Sequence, residues 1–409
     1  MRAYAIGRSA LFSIAAFLVA ATICLSALAQ NVGGDIGGGI FRPKNPEIRK
    51  TTAKTPRPVT KPSRTAPKRN ATADLDSRVD DLLEKGNAAR DAKKYDEAQS
   101  AYEEALKLKP RDARGAYGLG NVFTDQRRWE EAEKNYRDAA TWGPTNVDAN
   151  VALSVVLVQP LSGANNAKRF ADAESFAQRA VQLDPKNAVA WDRLGLALQS
   201  RGVFNKDTEH AYRRAVELDP QFAAAYAHRA RALRKMSRGD EGAPLYDKAI
   251  ELAKDPATLV LIAESLQSEQ QWDKSEIVLR RALEMDARSP SALYLLGRTL
   301  NVLKRYQEAE SYLKSSIELS PQAFPPYTLL GQAYLSLGRL EDAEKTYNSA
   351  VGVASPAERK QLAGVFGFEG VGDGYLKSKR KTDAARAYQR ALEMDPGNPQ
   401  LLKKLSQAR

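Results

Sequence analysis

The sequence predicts an all-α fold, a stack of antiparallel helix pairs closed by one terminal helix. Three observations carry this. Small residues return at fixed intervals through most of the chain. Within each interval apolar residues recur three and four apart, and a proline closes many of the intervals. Three-and-four spacing marks one buried face of a helix. Proline cannot continue a helix, so it marks the stop.

The N-terminal stretch comes first. Arg2 and Arg8 precede a long apolar run that ends in Ala27-Leu28-Ala29. Charged, apolar and then small residues are the order of a secretory signal peptide, so residues 1–29 are expected to be a leader cleaved after Ala29. The product would be exported, either periplasmic or secreted. The alternative is an uncleaved inner-membrane anchor over residues 10–29, because the apolar run approaches spanning length. Cys24 is the only cysteine. One thiol cannot build a disulfide framework or a cysteine-ligated metal site.

Residues 30–75 read as a linker. A glycine-rich start leads into a Pro/Thr/Lys/Arg stretch with too few apolar side chains to bury, so a disordered, extended spacer is expected. This segment also explains the net charge of +12. Residues 41–70 hold ten basic side chains against Glu47 alone, whereas the chain beyond residue 70 is nearly balanced. The basicity therefore belongs to a tail, which could make weak contact with an anionic lipid or wall polymer. Nucleic acid is not expected, because no aromatics are interleaved with the cations for base stacking.

The repeat occupies residues 76–397. Its first copy places Gly86, Ala98, Ala105 and Pro110, and its second Gly120, Ala132, Ala139 and Pro144. Ser154, Ala173, Ala180 and Pro185 follow, then Gly195, Thr208, Ala215 and Pro220. The fifth and sixth copies, Ala230/Gly242/Ala249 and Ala263/Ser275/Ala282, lack the proline in place. The seventh has Gly297, Ala309, Ser316 and Pro321, the eighth Gly331, Ala343 and Ala350, and the ninth Gly372, Ala384, Ala391 and Pro396. From copy to copy the first small residue advances by 34, 34, 41, 35, 33, 34, 34 and 41. A period of 34 with two insertions of seven predicts a repeat array. Each copy should be two short helices whose small residues face each other where the backbones pass closely. Aromatics recur before the second small residue (Tyr95, Trp129, Phe170, Trp272 and Tyr306) and are expected to plug the bend between the two helices. Residues 398–409 form a charged amphipathic segment, expected to cap the apolar flank of the last copy.

This layout resembles the tetratricopeptide repeat, whose signature is W-x2-L-G-x2-Y, then A-x3-F, then P. Trp191-Asp192-Arg193-Leu194-Gly195 with Leu198 matches it, and so does Tyr327-Thr328-Leu329-Leu330-Gly331 with Tyr334, Ala343 and Tyr347. The resemblance implies a right-handed α-solenoid (superhelix) of about nine helix-turn-helix repeats plus the C-terminal capping helix. It also implies a concave groove, lined by the first helix of each pair, that holds a peptide or a partner's helix. Candidate lining residues are Asn87 and Arg90, Tyr117 and Asn121, Arg231 and Arg234, and Tyr294, Arg298 and Asn301. Arg231, Arg234, Lys235 and Arg238 together suggest a grip on an acidic segment. The carboxylate clamp of chaperone-binding members is not matched, since Leu83 stands where a lysine is expected.

Catalytic signatures are missing. The sequence has no nucleophile elbow, phosphate loop, zinc-protease helix or calcium loop. His210 and His228 have no companion ligands in sequence and are expected at the surface, so no metal, cofactor or small-molecule substrate is expected. The stretch Gly370 to Tyr375 is glycine-rich but falls on the first helix of a repeat, not after a strand. The chain thus reads as a non-catalytic, exported interaction scaffold, serving a cell-envelope complex. Alternatives are a structural tether held to an anionic surface by its basic linker and, third, an enzyme with its site in the groove.

Overall fold

A computed structural model describes residues 43–48 and 71–409, apart from Ser162. The leader expected at 1–29 and most of the linker lie outside the described residues. Among the described residues there are twenty helices and no strand. None of these helices is long and apolar enough to cross a membrane.

The chain divides into two compact units, one ending at Leu245 and the other starting at Tyr246. In the first unit the helices are α1 (Ala71–Asp91), α2 (Tyr95–Leu108), α3 (Ala113–Asp125), α4 (Trp129–Trp142), α5 (Val147–Leu157), α6 (Asn166–Leu183), α7 (Ala188–Ser200), α8 (Lys206–Leu218) and α9 (Ala223–Lys235). Helix α10 (Gly239–Leu252) contains the division. The second unit continues with α11 (Pro256–Ser268), α12 (Trp272–Met285), α13 (Pro290–Val302), α14 (Tyr306–Leu319), α15 (Phe324–Ser336) and α16 (Leu340–Val353). It ends with α17 (Pro356–Gln361), α18 (Phe368–Lys377), α19 (Lys381–Met394) and α20 (Pro399–Ala408). Because α1 begins at Ala71, residues 71–75, expected in the linker, are helical.

Within each unit most helices pack on their predecessor and successor, the short α17 instead touching α19 while α16 packs directly on α18. First helices of neighbouring pairs also touch: α1 with α3, α5 with α7, α11 with α13 and α13 with α15. The small residues explain the close approach. Ala98, Ala105, Ala132, Ala139, Ala309, Ala343, Ala384 and Ala391 are all fully buried at these crossings.

First and second helices start differently. Several first helices carry a side-chain cap: Asp112 accepts from the Arg114 amide, Asn146 from Ala149, Asn187 from Ala190 and Ser289 from Ala292. Such caps satisfy backbone donors that the first helical turn leaves free. Second helices α2, α4, α12 and α14 lack them and instead open on the aromatics Tyr95, Trp129, Trp272 and Tyr306. Tyr95 and Trp129 pack partly buried against the first unit's core, consistent with the expected plug.

The two insertions have different fates. The first lengthens α6 to 18 residues and leaves a loop before it, fixed by Arg169, which donates to the Val156 and Gln159 carbonyls. The second forms α17, started by a reciprocal capping box between Ser355 and Glu358. Helix α20 packs on α19 and buries Leu401, and its Lys404 ammonium reaches Glu369 at 2.7 Å and Asp373 at 2.7 Å.

Candidate functional site

The site begins with the packing glycines of the first two pairs. A Cβ on Gly86 would stand 2.6 Å from the Tyr102 ring, and one on Gly120 would stand 2.5 Å from the Tyr136 ring. Glycine lets each tyrosine of the second helix lie directly on the first helix. That contact brings the phenol to the next residue along. The Tyr102 hydroxyl donates to Asn87 Oδ1 at 2.7 Å, and the Tyr136 hydroxyl donates to Asn121 Oδ1 at 2.9 Å. A carboxamide whose oxygen is engaged in this way presents its NH2 in the other direction.

Both amide nitrogens donate to main-chain carbonyls of residues 43–48. Asn87 Nδ2 reaches the Pro46 carbonyl at 3.1 Å, and Asn121 Nδ2 reaches that of Lys44 at 2.8 Å. Asn87 and Asn121 hold the same position in consecutive repeats, so the segment meets two equivalent rungs. Pro43 and Pro46 are buried, while Lys44 and Glu47 are exposed. This non-helical segment was expected to be part of a disordered spacer. Its apolar groups are the two buried prolines and the half-buried Ile48, and its carbonyls find protein donors, so it packs on α1 and α3.

Arg90 completes the site. Its Nε and Nη2 form a two-point pair with Asp125 at 2.8 and 3.0 Å, while Nη1 donates to the Pro43 carbonyl at 2.7 Å and to Asn45 Oδ1 at 3.0 Å. Burial opposes its charge, but Asp125 more than offsets this and holds the guanidinium above its ordinary pKa. The fork shape of guanidinium suits such simultaneous pairing. Asn45 Nδ2 in turn donates to Asp91 Oδ2 at 2.9 Å. Nearby, Asp148 on α5 is raised above the usual carboxylate range by burial, with Lys44 partly opposing and Glu47 adding to the effect.

This stretch is also where a family model matches. The model described as Tetratricopeptide repeat covers residues 83–147, which include both asparagine rungs. The chain is a tetratricopeptide repeat protein. A second family model, described as Anaphase-promoting complex, cyclosome, subunit 3, matches this repeat protein at residues 239–316 and 268–350. No curated protein is similar enough in sequence to count as a match. Among solved structures the repeat protein is similar to MamA, at 24% identity over 41% of this chain and 93% of that one, with a TM-score of 0.36. It is similar to a thermophilic TPR protein of Thermus thermophilus, at 24% identity over 46% and 99%, TM-score 0.39. A human IFIT1 dimer is similar at 15% identity over 80% and 79%, TM-score 0.47.

The other expected lining residues of the repeat protein are not gathered at this site. Tyr117 and Tyr294, read as facing an open groove, are buried instead. Tyr117 lies against Tyr136 at a ring distance of 5.8 Å, because its helix face turns into the core. Arg231 donates to Gln199 Oε1 at 2.7 Å, so it ties α9 to α7. Arg234 and Lys235 are exposed, whereas Arg238 pairs with Glu209 at 2.9 Å and Glu241 at 2.6 Å. In the second unit the Arg298 guanidinium sits 5.8 Å over the Trp272 ring, and Asn301 Nδ2 donates to the Leu329 carbonyl at 2.8 Å. Asn301 thus fastens one repeat to the next.

One histidine departs from expectation. His228 is not at the surface but fully buried, with Nδ1 2.8 Å from Asp192 Oδ1. The partner lies 36 residues upstream, about one repeat away, where sequence adjacency gives no hint. Tyr212 stacks at a tilt on His228, and Gln199 Nε2 donates to the Tyr212 hydroxyl at 2.6 Å. Burial holds His228 below its ordinary pKa. Burial would raise Asp192, but His228 and Arg193 beside it more than offset this. Among the described residues no cluster of three or more His, Cys, Asp or Glu side chains could hold a metal ion.

Proposed function

We propose that this repeat protein is a non-catalytic interaction scaffold whose groove, on the first helices α1 and α3, takes an extended segment of a protein partner. The observation that supports the reading is the pair of oriented amides, Asn87 and Asn121, each turned by a buried tyrosine toward a peptide carbonyl. Carboxamides and a guanidinium that grip main chain suit peptide recognition. They supply no nucleophile or general base for chemistry. The leader-like order of residues 1–29 supports export, with an envelope complex as the setting. The test is capture of partners from an envelope fraction by the full chain and by an Asn87→Ala/Asn121→Ala variant of equal helical content. The reading expects the variant to lose the captured partner, and equal capture would overturn it.

The ten cations of residues 41–70 support a second reading, adhesion of the tail to an anionic surface. Binding of the full chain to phosphatidylglycerol vesicles should then fade between low and high salt. Salt-independent binding, or none at low salt, would remove it.

A further inference from the structure

We propose that residues 43–48 are a resident ligand of the α1–α3 groove, held there within the same chain, and that a partner's extended, proline-flanked segment must displace it. The inference rests on the groove reading above and adds the chemistry of the occupant and its competition.

Four features carry it. The two asparagine rungs and Arg90 touch backbone carbonyls of Pro43, Lys44 and Pro46, so the contacts accept peptide main chain as such. Side-chain selection falls on Asn45. Its oxygen accepts from Arg90 and its nitrogen donates to Asp91, so both ends of the carboxamide are read. An aspartate there would meet Asp91 with like charge, and a lysine would meet Arg90.

The prolines favour this bound form before docking. Proline fixes its own φ and disfavours helix in the residue before it, so Asn45, which precedes Pro46, is biased toward an extended backbone. Less freedom is then lost on binding. Finally, Asn121 and Arg90 are buried beneath the segment, at 0% and 1% exposure. Buried donors that lose their acceptors are costly, so the groove is built to be filled. Only residues 49–70 separate the segment from α1, and a covalent tether makes its docking unimolecular, which a free peptide must outcompete.

The probe is a fluorescent decapeptide of residues 41–50, titrated by anisotropy into two full chains. One is native, and the other carries Pro43→Gly/Asn45→Gly/Pro46→Gly. The peptide should bind the variant at least tenfold more tightly than the native chain. Adding Asn121→Ala to the variant, or Asn45→Asp to the peptide, should weaken that binding at least tenfold. Equal binding to both chains, or to neither, overturns the resident-ligand proposal and leaves the groove reading standing on partner capture. Binding indifferent to Asn121→Ala overturns the proposal at this site. Full-chain Asn45→Asp, which alters no helix, is a second route and should also open the groove to the peptide. A dimer that grows with concentration and disappears in the glycine variant would assign the segment to a second copy and overturn the intramolecular form.

Discussion

The ring of Tyr136 lies 2.5 Å from the point where a Cβ on Gly120 would stand. The same contact recurs for Tyr212 over Gly195 and Tyr388 over Gly372, each at 2.5 Å. The aromatic ring is backed by core on its other side, so it cannot retreat freely. Gly120→Ala should therefore cost about 1–3 kcal/mol, the range for overpacking a filled core. Gly352 is the control. It lies in α16 with nothing within 4 Å of its would-be Cβ, so Gly352→Ala should stabilise by roughly 0.5–1 kcal/mol. Urea denaturation followed by circular dichroism reads both.

The hydroxyl of Tyr136 has its own role. It donates to Asn121 and lies 3.0 Å from the Thr124 hydroxyl, so Tyr136→Phe takes the phenol donor from the buried Asn121 oxygen, whereas Thr124 keeps its bond to the Gly120 carbonyl. A stability loss of about 1 kcal/mol is expected. The same variant frees the Asn121 amide to rotate, so affinity of the decapeptide for the glycine variant should fall as well. Unchanged affinity would show that the tyrosine does not orient the rung.

Turns between paired helices use a left-handed residue. Lys304 has φ 61° and Gly338 has φ 72° at corresponding positions. Side chains pay roughly 1–2 kcal/mol for this conformation. Lys304→Gly should therefore gain up to about 1 kcal/mol and Gly338→Ala lose about as much, since glycine's larger unfolded-state entropy offsets part of the difference. Thermal denaturation of the two single variants checks the opposite signs.

Acid should weaken the first unit through His228. Burial depresses its folded pKa, so as pH falls through about 6.5 the unfolded chain takes up a proton that the folded chain refuses. Stability is then full above that value and declines below it. Asp192, also depressed, adds a loss in the same direction at lower pH. The urea midpoint of the native chain should drop between pH 7 and pH 5, and that of His228→Gln should drop less. Parallel curves would contradict the assignment.

The helix pairs were legible because their spacing is enforced by contact. Gly120, Ala132 and Ala139 are small for a steric reason that leaves a periodic trace in the sequence. Asn87, Arg90 and Asn121 were also legible, since they follow the packing glycine on the first helix. Their occupant was not. Residues 43–48 carry little apolar content, and their affinity lies in carbonyls that every residue possesses. Buried Tyr117, Tyr294 and His228 escaped for a related reason. A polar side chain on a repeat helix reads as exposed unless its partner is known, and Asp192, the partner of His228, comes from the preceding repeat. Left-handed turn residues such as Lys93 and Arg127 were invisible because only glycine advertises that conformation.

Cleavage by trypsin after Lys44 tests the central relationship most directly. A protease needs the flanking backbone free, and here the Lys44 and Pro46 carbonyls are bound to Asn121 and Asn87. The native full chain should be cut after Lys44 at least tenfold more slowly than its Asn87→Ala/Asn121→Ala variant, with both chains equally helical. Equal rates, matching those of the urea-unfolded chain, would mean that the asparagine rungs hold nothing.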